Sequence, residues 1–164
     1  MTGSQAKSGP EAIRATARYL LDGGAAGDEP LRRAAAVGQP IPVLGADRRH
    51  HSWFVPVTIA DRLVAFFQLL PDSTLMRFSS FARQTGRFDG CPPAAQWTDP
   101  ASIAARAESV RSPGETAGEP FLSFDRTPDR IAWAVPLAAP TGATRIVYVA
   151  GESVYEGAPE DTIG

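Results

Sequence analysis

The residues that could do chemistry fall into a basic cluster, a single thiol and a scatter of carboxylates. Arg48-Arg49-His50-His51 stand together in a polar stretch between two apolar runs. Arginine donates paired hydrogen bonds to carboxylates and phosphates, so Arg48 and Arg49 could grip such a group with His50 and His51 beside them. Adjacent histidines on a strand point to opposite faces and make a poor metal pair, so no metal is expected there. The same four residues read as a solvated hairpin turn if nothing is bound. Cys91 is the one cysteine and lies in Asp89-Gly90-Cys91-Pro92-Pro93. A nucleophilic cysteine needs a base or a cation to make thiolate, and only His50 or His51, reached through space, is a candidate base. Without such a partner Cys91 is an inert packed thiol. Glu115, Glu119, Asp125 and Asp129 supply carboxylates, but a general acid needs burial to raise its pKa, and otherwise these are turn and cap residues.

The aromatic residues Phe66, Phe67, Phe78, Phe81, Phe88 and Trp97 either fill a core or line a pocket. The stretch from Phe78 to Trp97 is long and loop-like, with apolar residues that need covering, and is the best place for a site. The candidate binding residues are therefore Arg48, Arg49, His50, His51, Phe78, Phe81, Phe88, Cys91 and Trp97. No Gly-rich phosphate loop, serine nucleophile elbow or metal signature is visible, so no catalytic residue, cofactor or metal is assigned.

These residues sit on a chain of 164 residues with 16 Lys+Arg, 18 Asp+Glu and a net charge of -2. The 43% hydrophobic and 21% charged fractions belong to a globular chain with a real core. The sequence pI of about 5.7 argues against a nucleic-acid binder. No apolar run long enough for a membrane helix occurs. The basic residues are arginine except Lys7, which reads as a GC-rich coding bias. Met1 to Pro10 contain no apolar signal region, so a cytoplasmic location is expected.

The elements that must position these groups are legible in outline. Ser8 and Glu11 have capping-box spacing, and Ile13, Ala17, Leu20 and Leu21 predict a helix stopped by Gly23-Gly24. A second helical piece is expected from Asp28 through Val37 to Gly38. Strands are expected at Ile41–Leu44, Trp53–Thr58, Arg62–Leu70 and Thr74–Phe81, linked as an antiparallel meander. After an irregular connector, Asp99-Pro100 opens a helix with Ile103, Ala107 and Val110 on its apolar stripe. Strands follow at Pro120–Phe124, Ile131–Leu137, Thr144–Val149 and Ser153–Glu156.

The two halves look alike. Trp53-Phe54-Val55-Pro56-Val57 and Trp133-Ala134-Val135-Pro136-Leu137 share one pattern, and Pro40 and Pro120 each lie 13 residues before the tryptophan. Downstream, Arg62–Phe66 is aligned with Arg145–Val149, the second link being three residues longer. Trp, Val and the aliphatic residue share a face at period two, read as the core face. Pro56 and Pro136 point the other way and suit an edge strand or a bulge. The expectation is an α+β fold of two tandem helix-plus-antiparallel-meander repeats packed as one domain. Its divisions are a disordered tail (1–9), a first repeat (10–81), an irregular connector (82–99), a second repeat (100–156) and a frayed tail (157–164).

The stretch Glu119–Asp125, Asp129–Val135 and Ile146–Val149 resembles the PepSY-type modules of bacterial protease propeptides, in which an aliphatic-x-Trp-x-Val strand follows a proline-containing strand and a polar hairpin. Ala150-Gly151-Glu152 departs from the usual ending, and the first half resembles these modules less. The resemblance implies an inhibitor-like binding module. The reading is thus a non-enzymatic binding or regulatory module that holds a peptide or protein partner by an exposed strand edge. Its alternatives are a small enzyme or carrier with an apolar ligand cavity under the helices, and a structural homodimer. The residues leave catalysis undecided and lean away from it.

Overall fold

A proline in the first turn and apolar residues three and four apart make the N-terminal segment a helix, and the computed structural model, which describes residues 7–24 and 29–157, carries it as α1 (Pro10–Asp22). Ile13, Ala17 and Leu21 are its buried stripe. The expected capping box does not form. Gly9 is the N-cap without a side-chain bond, while the Ser8 N–H donates to Pro71 O at 2.7 Å and its hydroxyl accepts from Ser73. Ser8 is therefore tied down, and the rest of the expected tail, 1–6, lies outside the described residues.

The chain divides into two compact units, Met1–Pro42 with His50–Ala94, and Val43–Arg49 with Ala95–Gly164. In the first, α2 (Glu29–Ala34) ends earlier than expected, and Ala36–Val37 forms a strand, β1. Then come β2 (Ile41–Leu44), whose last two residues belong to the second unit, β3 (His50–Ile59), β4 (Arg62–Leu69) and β5 (Leu75–Ser80). The sheet order is β1-β3-β4-β5, with β2 also beside β3, and the β1–β3, β3–β4 and β4–β5 pairs are antiparallel. Trp53 faces Leu69, Val55 faces Phe67 and Val57 faces Ala65. Val55, Val57, Ala65, Phe67 and Leu69 cluster with the α1 stripe and Cys91.

The expectation of one core face is too simple. Phe54 and Gln68, on the opposite face, are fully buried as well, whereas Trp53 is only half-buried. A polar chain centred on the buried Ser52 and Gln68 of that face runs between half-buried His51 and Arg77. His51 Nδ1 meets Ser52 Oγ at 2.9 Å, Gln68 Nε2 donates to the same hydroxyl at 2.9 Å, and Arg77 Nε donates to Gln68 Oε1 at 3.0 Å.

The second unit holds α3 (Ala95–Thr98), inside the segment expected to be irregular, and α4 (Pro100–Glu108), capped by Asp99 accepting from Ala101 N at 3.1 Å. Ile103 and Ala107 are buried, but Val110 lies beyond the helix and is 40% exposed. Its sheet is built from β6 (Thr116–Ala117), β7 (Phe121–Phe124), β8 (Ile131–Ala138), β9 (Thr144–Ala150) and β10 (Ser153–Glu156). The order is β6-β8-β9-β10, with β7 also beside β8. Gly157 N donates to Ile146 O, and the remainder of the expected frayed tail lies outside the described residues. The fold is α+β with two antiparallel sheets. Among the described residues no helix is long and apolar enough to cross a membrane.

Neither proline-bearing strand is an edge strand, because β3 and β8 have neighbours on both sides. Gly38 N donates to Pro56 O at 2.8 Å, and Gly118 N to Pro136 O at 2.8 Å. The N and O of one strand residue point to the same side, so each missing proline N–H faces the break between two short strands, β1 and β2 or β6 and β7. No ladder bond to β4 or β9 is lost. Trp53 pairs with Leu69 and Trp133 with Val149, so the register equates Phe66 with Ile146; the sequence alignment of Arg62–Phe66 with Arg145–Val149 is three residues off.

Candidate functional site

A strand exposes half of its backbone groups at a sheet edge, and the two edges of the first sheet treat them differently. At the β1 edge the outward carbonyls are already taken. Arg14 Nε donates to Val37 O at 3.0 Å, and Arg18 NH1 to Ala35 O at 3.1 Å. Four helical residues rise about 6 Å, close to the roughly 6.6–6.8 Å between alternate strand residues, so an i, i+4 arginine pair matches two successive outward carbonyls. Sequence reasoning missed this pair, although its spacing on the polar face of α1 was a readable signal.

The β5 edge is different. Phe81 N donates to Val64 O at 2.9 Å, so with register pairs Phe67–Phe78 and Ala65–Ser80 the backbone groups of Phe78 and Ser80 point away from β4. Leu75 and Met76 are 38% and 37% exposed on the same strand. The Phe78 ring sits 5.0 Å from that of Phe67, which fixes its place beside the edge. Just beyond, the 81–91 loop frames two shallow pockets of about 220 and 240 Å³. Phe81, Arg83, Gln84, Arg87 and Cys91 line the first, and Phe78, Ser80, Thr85 and Phe88 help line the second.

The structure thus brings together four of the expected site residues, Phe78, Phe81, Phe88 and Cys91, and separates the others from them. His50 and His51 lie on β3 rather than in a turn. The His50 ring meets Trp53 edge-on at 4.6 Å, its Nε2 lies 2.9 Å from Ser52 O, and burial pushes its pKa below the ordinary value. Arg48 and Arg49 belong to the second unit. The Arg48 guanidinium lies 3.8 Å over the Phe121 ring, and Arg49 pairs with Asp47. Trp97 is on α3, where its carbonyl accepts from Trp133 Nε1 at 2.9 Å. The basic cluster is therefore not one gripping site. Among the described residues no group of three His, Cys, Asp or Glu side chains could hold a metal ion.

Cys91 is 1% exposed, and burial pushes its thiol up although Arg62, whose guanidinium donates to Cys91 O at 2.9 Å, pulls the other way. The folded protein is therefore expected to resist iodoacetamide at neutral pH and to react readily in urea. Selective alkylation of the native protein, read by mass spectrometry, would contradict this placement.

The strongest electrostatic arrangement is in the second unit. Arg145 donates from Nε and NH2 to Glu115 at 3.0 Å each, Ser112 N donates to Glu115 Oε1 at 2.9 Å, and Arg145 NH2 also reaches Val110 O. The Arg145 bonds, against the opposing effect of burial, hold the Glu115 carboxyl at about 2 instead of 4.5. Arg145 stands on β9, and Val110, Ser112 and Glu115 belong to the link from α4 to β6, so this is a strut between the two. A carboxyl whose folded pKa is depressed contributes stability fully above its unfolded value and loses it as pH falls through the folded one. Glu115→Gln is expected to flatten the pH dependence of the urea midpoint between pH 4.5 and 2 and to leave its slope above pH 6 unchanged. Comparison of the chain with protein-family models, curated proteins and solved structures gives no match.

Proposed function

We propose that the chain is a non-enzymatic binding module that takes an extended peptide segment of a protein partner along β5. The observation that carries this reading is the outward backbone of Phe78 and Ser80 beside exposed Leu75 and Met76 on β5. An added strand gains affinity from main-chain bonds and specificity from alternate side chains. The 81–91 loop gives it a place for one side chain at the end of the strip, where Arg83 and Arg87 outnumber Asp89 and favour an acidic residue.

The likeness of residues 119–149 to inhibitor-like PepSY modules agrees with a binding role, and the shared strand order of the two sheets supports their reading as a duplicated unit. The carrier alternative is weaker at this loop, because about 220 and 240 Å³ fall below the roughly 300–1,000 Å³ of drug-sized sites.

The test is selection from a displayed random-peptide library on the immobilised protein. Enriched sequences are expected to alternate apolar residues and to carry an acidic residue at one end. Their binding should fall with Ser80→Pro, which removes an outward N–H, and with Met76→Asp, which charges the strip. Absence of enrichment over bare resin, or affinity unchanged in both variants, rules the β5 site out.

A further inference from the structure

A third concavity lies between α1 and the β1 edge, with a volume of about 700 Å³. Arg14, Ala15, Arg18, Ala36, Val37 and Gln39 line it. We propose that this groove binds a small organic monocarboxylate whose carboxylate is held end-on by Arg14. The inference does not depend on the β5 reading.

The size falls inside the range of small-molecule sites, unlike the pockets of the 81–91 loop. Its charge capacity is one. Arg18 is fully committed, with Nε and NH2 on Asp22 and NH1 on Ala35 O. Arg14 spends only Nε, on Val37 O, and this bond fixes the plane of its guanidinium. No protein hydrogen bond or ion pair engages its NH1 or NH2 among the described residues. Two parallel N–H groups on a fixed plane match the two oxygens of a carboxylate. Glu11 also lines the groove, one turn before Arg14, and its charge disfavours a dianion. Ala15, Ala36 and Val37 provide short apolar walls for the body of the ligand, and the Gln39 amide offers one further polar contact.

A carboxylate of this kind comes either from a free organic acid or from the C-terminus of a peptide. The full chain is titrated calorimetrically with octanoate, with an apolar hexapeptide, with the same peptide amidated at its C-terminus, and with inorganic phosphate. Binding with Kd below about 1 mM is expected for octanoate, for the acid peptide, or for both, and the pattern identifies the source. Phosphate and the amidated peptide are expected to bind at least about tenfold more weakly. Arg14→Gln is expected to lower the affinity by about tenfold or more. Because Arg14 also closes the β1 edge, Ala15→Trp is the second variant; Ala15 is exposed, so this change fills the groove while leaving the Arg14–Val37 bond. The proposal is overturned if neither acid binds at about 10 mM, if the amidated peptide or phosphate binds equally well, or if affinity survives both variants.

Discussion

Replacing Trp133 by alanine is expected to remove about 3–5 kcal/mol of stability, a large share of the roughly 5–15 kcal/mol of a typical domain. Trp133 is 4% exposed and shares its strand face with Val135 and Leu137, both fully buried. The helix α4 packs on β8 and β9 with Ile103 and Ala107 buried. The substitution opens a cavity there and leaves the Trp97 carbonyl without the indole N–H that reaches it at 2.9 Å. The same substitution at Trp53 is expected to cost clearly less. Trp53 is only half-buried, and its shielded Nε1 meets no acceptor, so no hydrogen bond is lost. Urea melts of both variants decide the matter, and a Trp53→Ala midpoint as low as that of Trp133→Ala would refute the difference.

Gly38→Ala is expected to cost about 1–3 kcal/mol, the range of overpacking, although the change is a single methyl. A Cβ at Gly38 would stand 2.9 Å from Pro56 Cγ, and one at Gly118 would stand 3.0 Å from Pro136 Cγ. A proline ring cannot swing aside as a flexible side-chain end can. Combining Gly38→Ala with Pro56→Ala is expected to recover much of the loss, so a double-mutant cycle should give a coupling of about 0.5–3 kcal/mol. Additive costs would show that the ring is not the obstacle. The cycle at Gly118 and Pro136 repeats the test independently.

The longer strands were readable because β-branched and aromatic runs stand between Pro, Gly and Asp turns, as at Arg62–Leu69 and Ile131–Ala138. Ala36–Val37 and Thr116–Ala117 were not, because two residues carry no period and the first pair continues a helical run of alanines. The pyrrolidine rule pointed to an edge strand or a bulge for Pro56 and Pro136; β3 does shift register just after Pro56, between Val57 and Thr58, and both central strands tolerate the proline because the neighbour on one side is broken at that position, a tertiary fact. The basic cluster shows the same limit for the site. Adjacency in sequence suggested a common target, yet β3 begins at His50, so Arg48 and Arg49 serve the second unit while His50 and His51 pair within the first. That Phe78, Phe81 and Phe88 come together around the 81–91 loop was readable, because a long segment with uncovered apolar groups is itself a signal. Arg14 and Arg18 escaped because a charged helix face is ordinarily just solvated.

The polar chain from His51 through Ser52 and Gln68 to Arg77 has a consequence for how the first sheet chooses its pairing. Strands normally find their register because one face is oily and the other is not, so that sliding by a single residue turns every side chain the wrong way. Here that safeguard is weak, since Phe54 and Phe66 on one face are as apolar as Val55 and Phe67 on the other. A slipped β4 would still bury hydrocarbon, but it would carry the Gln68 amide away from the Ser52 hydroxyl and into a layer of methyl groups and rings. An amide stranded there costs about 1–3 kcal/mol, enough to depopulate the mispaired sheet roughly five- to more than a hundredfold. A few hydrogen bonds thus act as a proofreading step for a hydrophobic sheet that could otherwise close in more than one way.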